Sequence, residues 1–182
     1  MSVAVQPYPI PLTLSANLVS ALNNPRSVLR TVAQRDGSTV TVYVGGEVDA
    51  ANEHSWQQLL REAAAATPPP GPLVIDTDGL DFMGCCAFTA LADEADRCRR
   101  RGITMCLVSS KPIVARIITA GGLASRLPVY PDADTALSAT AADMSAWRSK
   151  NSIAPTYASW WNRVRTGARR GGCARTQRGT PA

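Results

Sequence analysis

Two short runs of consecutive apolar residues constrain the fold of this chain more than any other feature of its sequence. The runs extend over 73–75 and 103–108, the second with Thr104 as its one polar residue, and a segment with helical periodicity, from about Cys86 to Arg101, lies between them. A strand without polar alternation is typical of a sheet that is covered on both faces, as parallel sheets are. The sequence therefore predicts buried strands that alternate with helices.

The flanking segments add a hairpin, an edge strand and further helices. Apolar residues and threonines alternate over 28–33 and 39–45 around Asp36-Gly37-Ser38, which is typical of a β-hairpin. An edge strand is expected at about 127–130. Three helices are expected: one capped by Asp49 or Asn52 that runs to about 66, one over about 111–118, and one that starts at Asp132 or Asp134 and reaches about 147. The expected fold is α/β: a mixed sheet of about four to five strands, with about four helices packed mainly on one side.

Composition divides the chain into three parts. Prolines interrupt the apolar residues of 1–25, which are therefore expected to form an irregular extension. Residues 26–148 contain the periodic apolar segments and are predicted to form the folded domain. Residues 149–182 carry basic side chains and no acidic ones, so we expect them to form a basic, disordered tail.

Cysteine and histidine usage argues against several kinds of site. The five cysteines include no CxxC pair, and no secretory signal opens the chain, so reduced thiols in the cytoplasm are expected. His54 is the only histidine, which argues against His-based catalysis and multi-histidine metal sites. No apolar stretch approaches the roughly 20 residues that span a bilayer. We expect a protein that is not an enzyme and that needs no metal or cofactor.

Three motifs carry a resemblance to a known family. They are Gly46-Glu47-Val48-Asp49, the segment from Leu73 through Phe82-Met83 to Leu91, and the segment from Ser110-Lys111-Pro112 to Leu123. In this order and spacing they resemble the STAS domain of bacterial anti-sigma-factor antagonists over about residues 28–147. The resemblance implies a protein that binds an anti-sigma factor, often a kinase-like one, or a related regulatory protein. By binding an anti-sigma factor it would release a sigma factor for transcription. The implied partner surface combines the loop of Glu47 and Asp49 with the helix start at 84–87.

The helix start departs from the family at the regulatory positions. In the family, a kinase phosphorylates the serine or threonine that follows a motif aspartate, and the phosphate blocks partner binding. This chain has Gly84 at the aspartate position, Cys85 and Cys86 at the two hydroxyl positions, and Ala87 at the glycine position. The resemblance therefore implies a partner surface at these four residues without the phosphorylation switch.

Two other functions of the same helix start remain as alternatives. Backbone N–H groups at a helix start favour an anion, so Cys85 and Cys86 could form a redox switch; plain packing of two small residues is the alternative interpretation. A sensory STAS module that binds a small anion or a nucleotide there is the second alternative. The tail carries Trp160, Trp161 and arginines, but a solvated end is the favoured interpretation, and nucleic acid is not expected as a partner.

Overall fold

Six strands lie side by side in chain order in the computed structural model, which describes residues 9–141. The strands are β1 (Ile10–Pro11), β2 (Leu29–Asp36), β3 (Thr39–Val48), β4 (Pro72–Met83), β5 (Thr104–Val108) and β6 (Val129–Tyr130). The β1–β2 and β2–β3 pairs are antiparallel, whereas the β3–β4, β4–β5 and β5–β6 pairs are parallel. The mixed sheet is thus confirmed. The predicted tail, 149–182, lies outside the described residues.

The burial of the strands follows from their sequences. Burial mostly alternates along β2 and β3: Ala33 and Val42 are buried, and Val32 and Tyr43 on the opposite face are exposed, although Thr41 is buried as well. In β4 and β5 consecutive residues are buried on both faces, over 73–75 and 105–108. The two continuous apolar runs therefore form the centre of the sheet.

The helices of the described residues cover mainly one face of the sheet. They are α1 (Ala16–Leu22), α2 (Glu53–Ala66), α3 (Cys85–Arg100), α4 (Pro112–Ala120) and α5, which is helical from 133 to the last described residue, 141. Buried residues of α1–α4 form one core cluster with the strands, whereas Ala136 of α5 packs with Val74, Cys106 and Val108 on the other face. Packing mainly on one side is therefore confirmed. The end of the last predicted helix, up to 147, lies outside the described residues.

The expectation of an irregular extension over 1–25 is wrong for residues 10–22. This segment supplies β1 and α1, which are the sixth strand and the fifth helix of the fold. Leu18 of α1 is fully buried in the core, and the Ser15 amide and hydroxyl both donate to the Glu62 carboxylate, at 2.7 and 2.5 Å. The prolines obscured a short helix that Ser15 caps by accepting a hydrogen bond from the Leu18 amide. The core therefore includes residues before 26, while the other predicted boundaries stay predictions.

The sequence patterns underestimate the lengths of two strands: β3 continues past 45 to Val48, and β4 continues past 75 to Met83. The β3–β4 register shifts between Tyr43 and Gly45, and again between Gly46 and Glu47. Gly46 has a φ of +87°, and a Cβ on Gly79 would lie 2.8 Å from the Val44 carbonyl oxygen. Glycine is needed at these bulges, where the two backbones approach closely. Both strands continue past the bulges to the end of the sheet where α2 and α3 begin.

Candidate functional site

The two segments of the predicted partner surface meet at one end of the sheet. Glu47 is paired with Phe82 and Val48 with Met83, so the ends of β3 and β4 lie side by side. The Gly84 amide then donates a hydrogen bond of 2.8 Å to the Val48 carbonyl oxygen. The structure thus brings the β3–α2 loop and the start of α3 together.

The β3–α2 loop is held by side chains of its own. The Asp49 carboxylate accepts hydrogen bonds from the amides of Ala51 and Asn52, at 2.9 and 3.3 Å. The side-chain amide of Asn52 donates a hydrogen bond of 2.8 Å to the Glu47 backbone carbonyl oxygen. Asp49 therefore shapes the turn. The Glu47 side chain is exposed and makes no hydrogen bond or ion pair with the described residues, so its carboxylate is available to a partner.

The start of α3 presents one side chain prominently. Gly84 is the N-cap and provides no side-chain cap. Cys85 is exposed and Cys86 is half-buried. Ala87 is fully buried in the core, which leaves it no side-chain surface for a partner. Among the four residues predicted at this helix start, Cys85 thus has the most accessible side chain.

Trp56 fixes the position of α3 and was not singled out as a site residue from the sequence. Its indole is fully buried, and Nε1–H donates across the α2–α3 contact to the Ala87 carbonyl oxygen at 3.2 Å. The apolar face of α2 predicts a buried Trp56, but the identity of its hydrogen-bond acceptor depends on tertiary packing. Trp56 therefore supports the helix start from the core side.

Two further hydrogen bonds join the second half of β4 to the segment that begins α4. Asp78 is exposed and accepts a hydrogen bond of 2.5 Å from the Ser110 amide. The Lys111 ammonium donates to the Leu80 carbonyl oxygen. These bonds hold the β5–α4 loop against β4, so the starts of α3 and α4 lie at the same end of the sheet.

The environments of the cysteines differ within residues 9–141. Cys98 and Cys106 are buried, and burial raises the pKa of each thiol to about 12, with the Glu94 carboxylate adding to the effect on Cys98. Both therefore remain protonated near neutral pH. All four cysteines of this part are free thiols, and no group of three or more potential ligands there could hold a metal ion. Chemistry at a thiol is thus confined, within the described residues, to Cys85 and Cys86.

No helix in the described part of the chain is both long and apolar enough to cross a membrane. The long helix α3 has 16 residues and alternates buried apolar positions with charged ones. An amphipathic pattern of this kind is typical of a helix that packs on a sheet and faces water on its other side.

Comparison with known proteins assigns the family. The STAS domain family matches residues 30–136. A candidate anti-anti-sigma factor of Mycobacterium tuberculosis, Rv2638, is 55% identical over 135 residues, which are 74% of this chain and 91% of the relative. The anti-sigma-F factor antagonist RsfA of that species is 54% identical over 114 residues, which are 63% of this chain and 89% of RsfA.

A solved structure agrees with this assignment. The crystal structure of an anti-sigma factor antagonist from Mycobacterium paratuberculosis has a TM-score of 0.56 and 28% sequence identity, and the match covers 65% of this chain and 98% of that one. The family match spans more than half of the sequence and includes strands β3–β6 with helices α2–α4. The chain belongs to the STAS domain family.

Proposed function

We propose that this chain is an anti-sigma-factor antagonist, which binds an anti-sigma factor and so frees a sigma factor for transcription. The relatives named as antagonists support this function, and RsfA, named for anti-sigma-F factor, points to a partner of that type. We further propose that the partner is kinase-like, as the family resemblance implies, and that binding occurs in the cytoplasm. The antagonist acts by occupying a protein surface, which requires no catalytic group of its own.

One structural observation carries the location of the partner surface: the hydrogen bond from Gly84 to Val48 joins the β3–α2 loop to the start of α3. We assign the contact to Glu47, Gly84, Cys85 and Cys86, which are exposed or partly exposed at this junction. Asp49 supports the surface by shaping the loop, and Ala87 supports it from the core. Loops fixed by a rigid sheet are common sites of recognition.

The test is direct binding of the full chain to purified anti-sigma-F factor of Mycobacterium tuberculosis, measured by isothermal titration calorimetry under reducing conditions. We expect saturable binding, and we expect the chain to release sigma factor from a preformed complex with the anti-sigma factor. Heat changes no larger than those of dilution, together with an intact sigma complex, would show that the proposed function is wrong.

Redox control at Cys85 and Cys86 is a second candidate property of the same site. The exposure of Cys85 favours redox control, because an oxidant can reach its sulfur atom. By contrast, the buried thiols of Cys98 and Cys106 have raised pKa values and stay protonated and unreactive. With hydrogen peroxide as the oxidant, the Cys85 thiolate would attack one peroxide oxygen and break the O–O bond, which gives a sulfenic acid and a hydroxide ion that takes a proton from solvent to become water. Trapping the sulfenic acid with dimedone, followed by peptide mass spectrometry, tests this. If neither Cys85 nor Cys86 carries the dimedone adduct after the peroxide has been consumed, the redox switch is excluded.

A further inference from the structure

Phe82 is an exposed aromatic residue at the end of β4. Its side chain is 54% exposed, whereas the other phenylalanine of the chain, Phe88, is 6% exposed and belongs to the core. Phe82 is paired with Glu47 and precedes Gly84 by two residues, so it borders the proposed partner surface. An exposed aromatic side chain at a recognition surface is a typical anchor for a protein partner.

Ile113 is a second large apolar residue at the same end of the sheet. It is 57% exposed and lies in the first turn of α4. Because α3 and α4 each follow a parallel strand, both helices begin where those strands end. The bonds from Ser110 to Asp78 and from Lys111 to Leu80 hold the start of α4 against the second half of β4. Phe82 and Ile113 therefore both lie at the end of the sheet where the parallel strands finish.

The surroundings of Phe82 are acidic. Glu47, its strand partner, and Asp81, its neighbour in the chain, are exposed and make no ion pair with the described residues. Lys111 is engaged with a backbone carbonyl group, and the exposed Arg116 lies three positions after Ile113 on α4. The carboxylates beside Phe82 would therefore attract basic side chains of a partner at the edge of the contact.

We infer that Phe82 and Ile113 are the two apolar anchors by which this chain binds its anti-sigma factor. The complementary face of the anti-sigma factor has an apolar pocket for Phe82, bordered by lysine or arginine side chains that meet Glu47 and Asp81. This inference rests on the proposed function, since it specifies the chemistry of the same partner surface and extends it to α4.

Single substitutions at the anchors test the inference in the full chain, with the anti-sigma-F factor of Mycobacterium tuberculosis as the probe. We expect Phe82→Ala to weaken binding about 30-fold and Ile113→Ala about tenfold, because central anchors dominate interface energies. The matched control is Val32→Ala: Val32 is 63% exposed, but it lies in β2 on the sheet face away from α2 and α3. Its substitution should leave the Kd within about twofold.

The charges are tested by association kinetics. Glu47→Gln combined with Asp81→Asn should lower the association rate constant about fivefold at low salt and flatten its dependence on ionic strength. The control is Asp93→Asn, which removes an exposed carboxylate from the middle of α3 and should leave both quantities unchanged. If the association rate constant of the double variant depends on salt as the parent's does, the partner's pocket for Phe82 is not bordered by basic side chains that meet Glu47 and Asp81.

The outcomes separate this inference from the proposed function. The inference alone is overturned if the parent binds and the Kd values of Phe82→Ala and Ile113→Ala stay within about twofold of the parent's, with the thermal melts of both variants unchanged. Absence of binding by the parent overturns the proposed function and the inference with it. Self-association of the parent that Phe82→Ala abolishes, measured by sedimentation without the probe, assigns the patch to a second copy of the chain and also overturns the inference.

Discussion

Replacing Cys85 with aspartate places a charge in the proposed partner surface without removing a packing contact of the core. Cys85 is the exposed first residue of α3, whose first turn has no acidic residue and whose N-cap provides no side-chain cap. A carboxylate at such a position interacts favourably with the helix dipole by about 0.3–1 kcal/mol. Cysteine and aspartate have similar helix propensities. We therefore expect the free energy of unfolding of Cys85→Asp to equal that of the parent or to exceed it by up to about 1 kcal/mol.

Partner binding should respond in the opposite direction. In the proposed contact the anti-sigma factor meets a cysteine at this position, so we expect it to have no counter-charge placed for a carboxylate there. Covering an unpaired charge costs at least about 2 kcal/mol, which corresponds to binding weakened by about 30-fold. The relevant measurements are urea denaturation for stability and calorimetric titration for affinity. Two controls separate charge from bulk and from position: Cys85→Asn is neutral at the same site, and Ser138→Asp carries the charge on an exposed part of α5.

Two results would contradict this reasoning in different ways. If Cys85→Asp binds as tightly as Cys85→Asn and stays folded, Cys85 lies outside the contact, and the partner surface inferred from the family is misplaced. If Cys85→Asp loses more than about 2 kcal/mol of stability, the side chain is a packing residue, and the redox candidate fails as well.

Three further predictions concern how the site is supported. Trp56→Phe removes the donor to Ala87 and should lower the free energy of unfolding by about 1–3 kcal/mol in urea denaturation. Partial burial opposes ionisation of Glu62, but hydrogen bonds from Ser15 and Gln58 lower its pKa below the ordinary 4.5. The resulting stabilisation is present above pH 4.5 and is lost as pH falls through the lowered pKa, so Glu62→Gln should lose less stability on acidification than the parent. In a chain limited to 26–148, the free energy of unfolding should be lower by at least about 3 kcal/mol in urea denaturation, because this chain lacks a buried leucine of α1.

The centre of the fold was predictable from the sequence because its signal is local. Leu73-Val74-Ile75 and the run ending at Val108 are apolar at consecutive positions, and only a strand covered on both faces makes use of that pattern. The N-terminal segment was not predictable in the same way. Its helix is short, and Leu18 becomes a core residue only through packing against α2 and β2.

The candidate site shows the same division between local and tertiary information. The family motif places Glu47 and Gly84 on one surface, and the strand pairing brings them together as the resemblance implies. The burial of Ala87 and the bond from Ser110 to Asp78 depend on how α2 and α4 sit on the sheet. Glycines that sequence patterns treat as strand breakers are tolerated here because two backbones approach each other at a bulge.

We expect the phosphorylation switch to be absent from this chain because of the backbone as well as the missing hydroxyl. A Cβ on Gly84 would lie 3.3 Å from the Val48 carbonyl oxygen, so a side chain there has to displace the end of β3 by a few tenths of an ångström. The substitution Cys85→Ser restores only the hydroxyl. Gly84 still occupies the aspartate position, so the carboxylate of the family motif is still missing. The exposed Thr89 is no substitute, because its hydroxyl donates to the Cys85 carbonyl oxygen at 3.2 Å, one turn into α3.

We therefore expect neither the parent chain nor Cys85→Ser to gain phosphate when incubated with ATP and the anti-sigma-F factor. The measurement is intact-protein and peptide mass spectrometry, and an antagonist that retains the serine motif serves as the positive control for kinase activity. Stoichiometric phosphate on Thr89 of the parent would show that the switch has moved along α3. Phosphate on the introduced hydroxyl of Cys85→Ser would show that the carboxylate is dispensable, and that the thiol alone separates this chain from the phosphorylated members of its family.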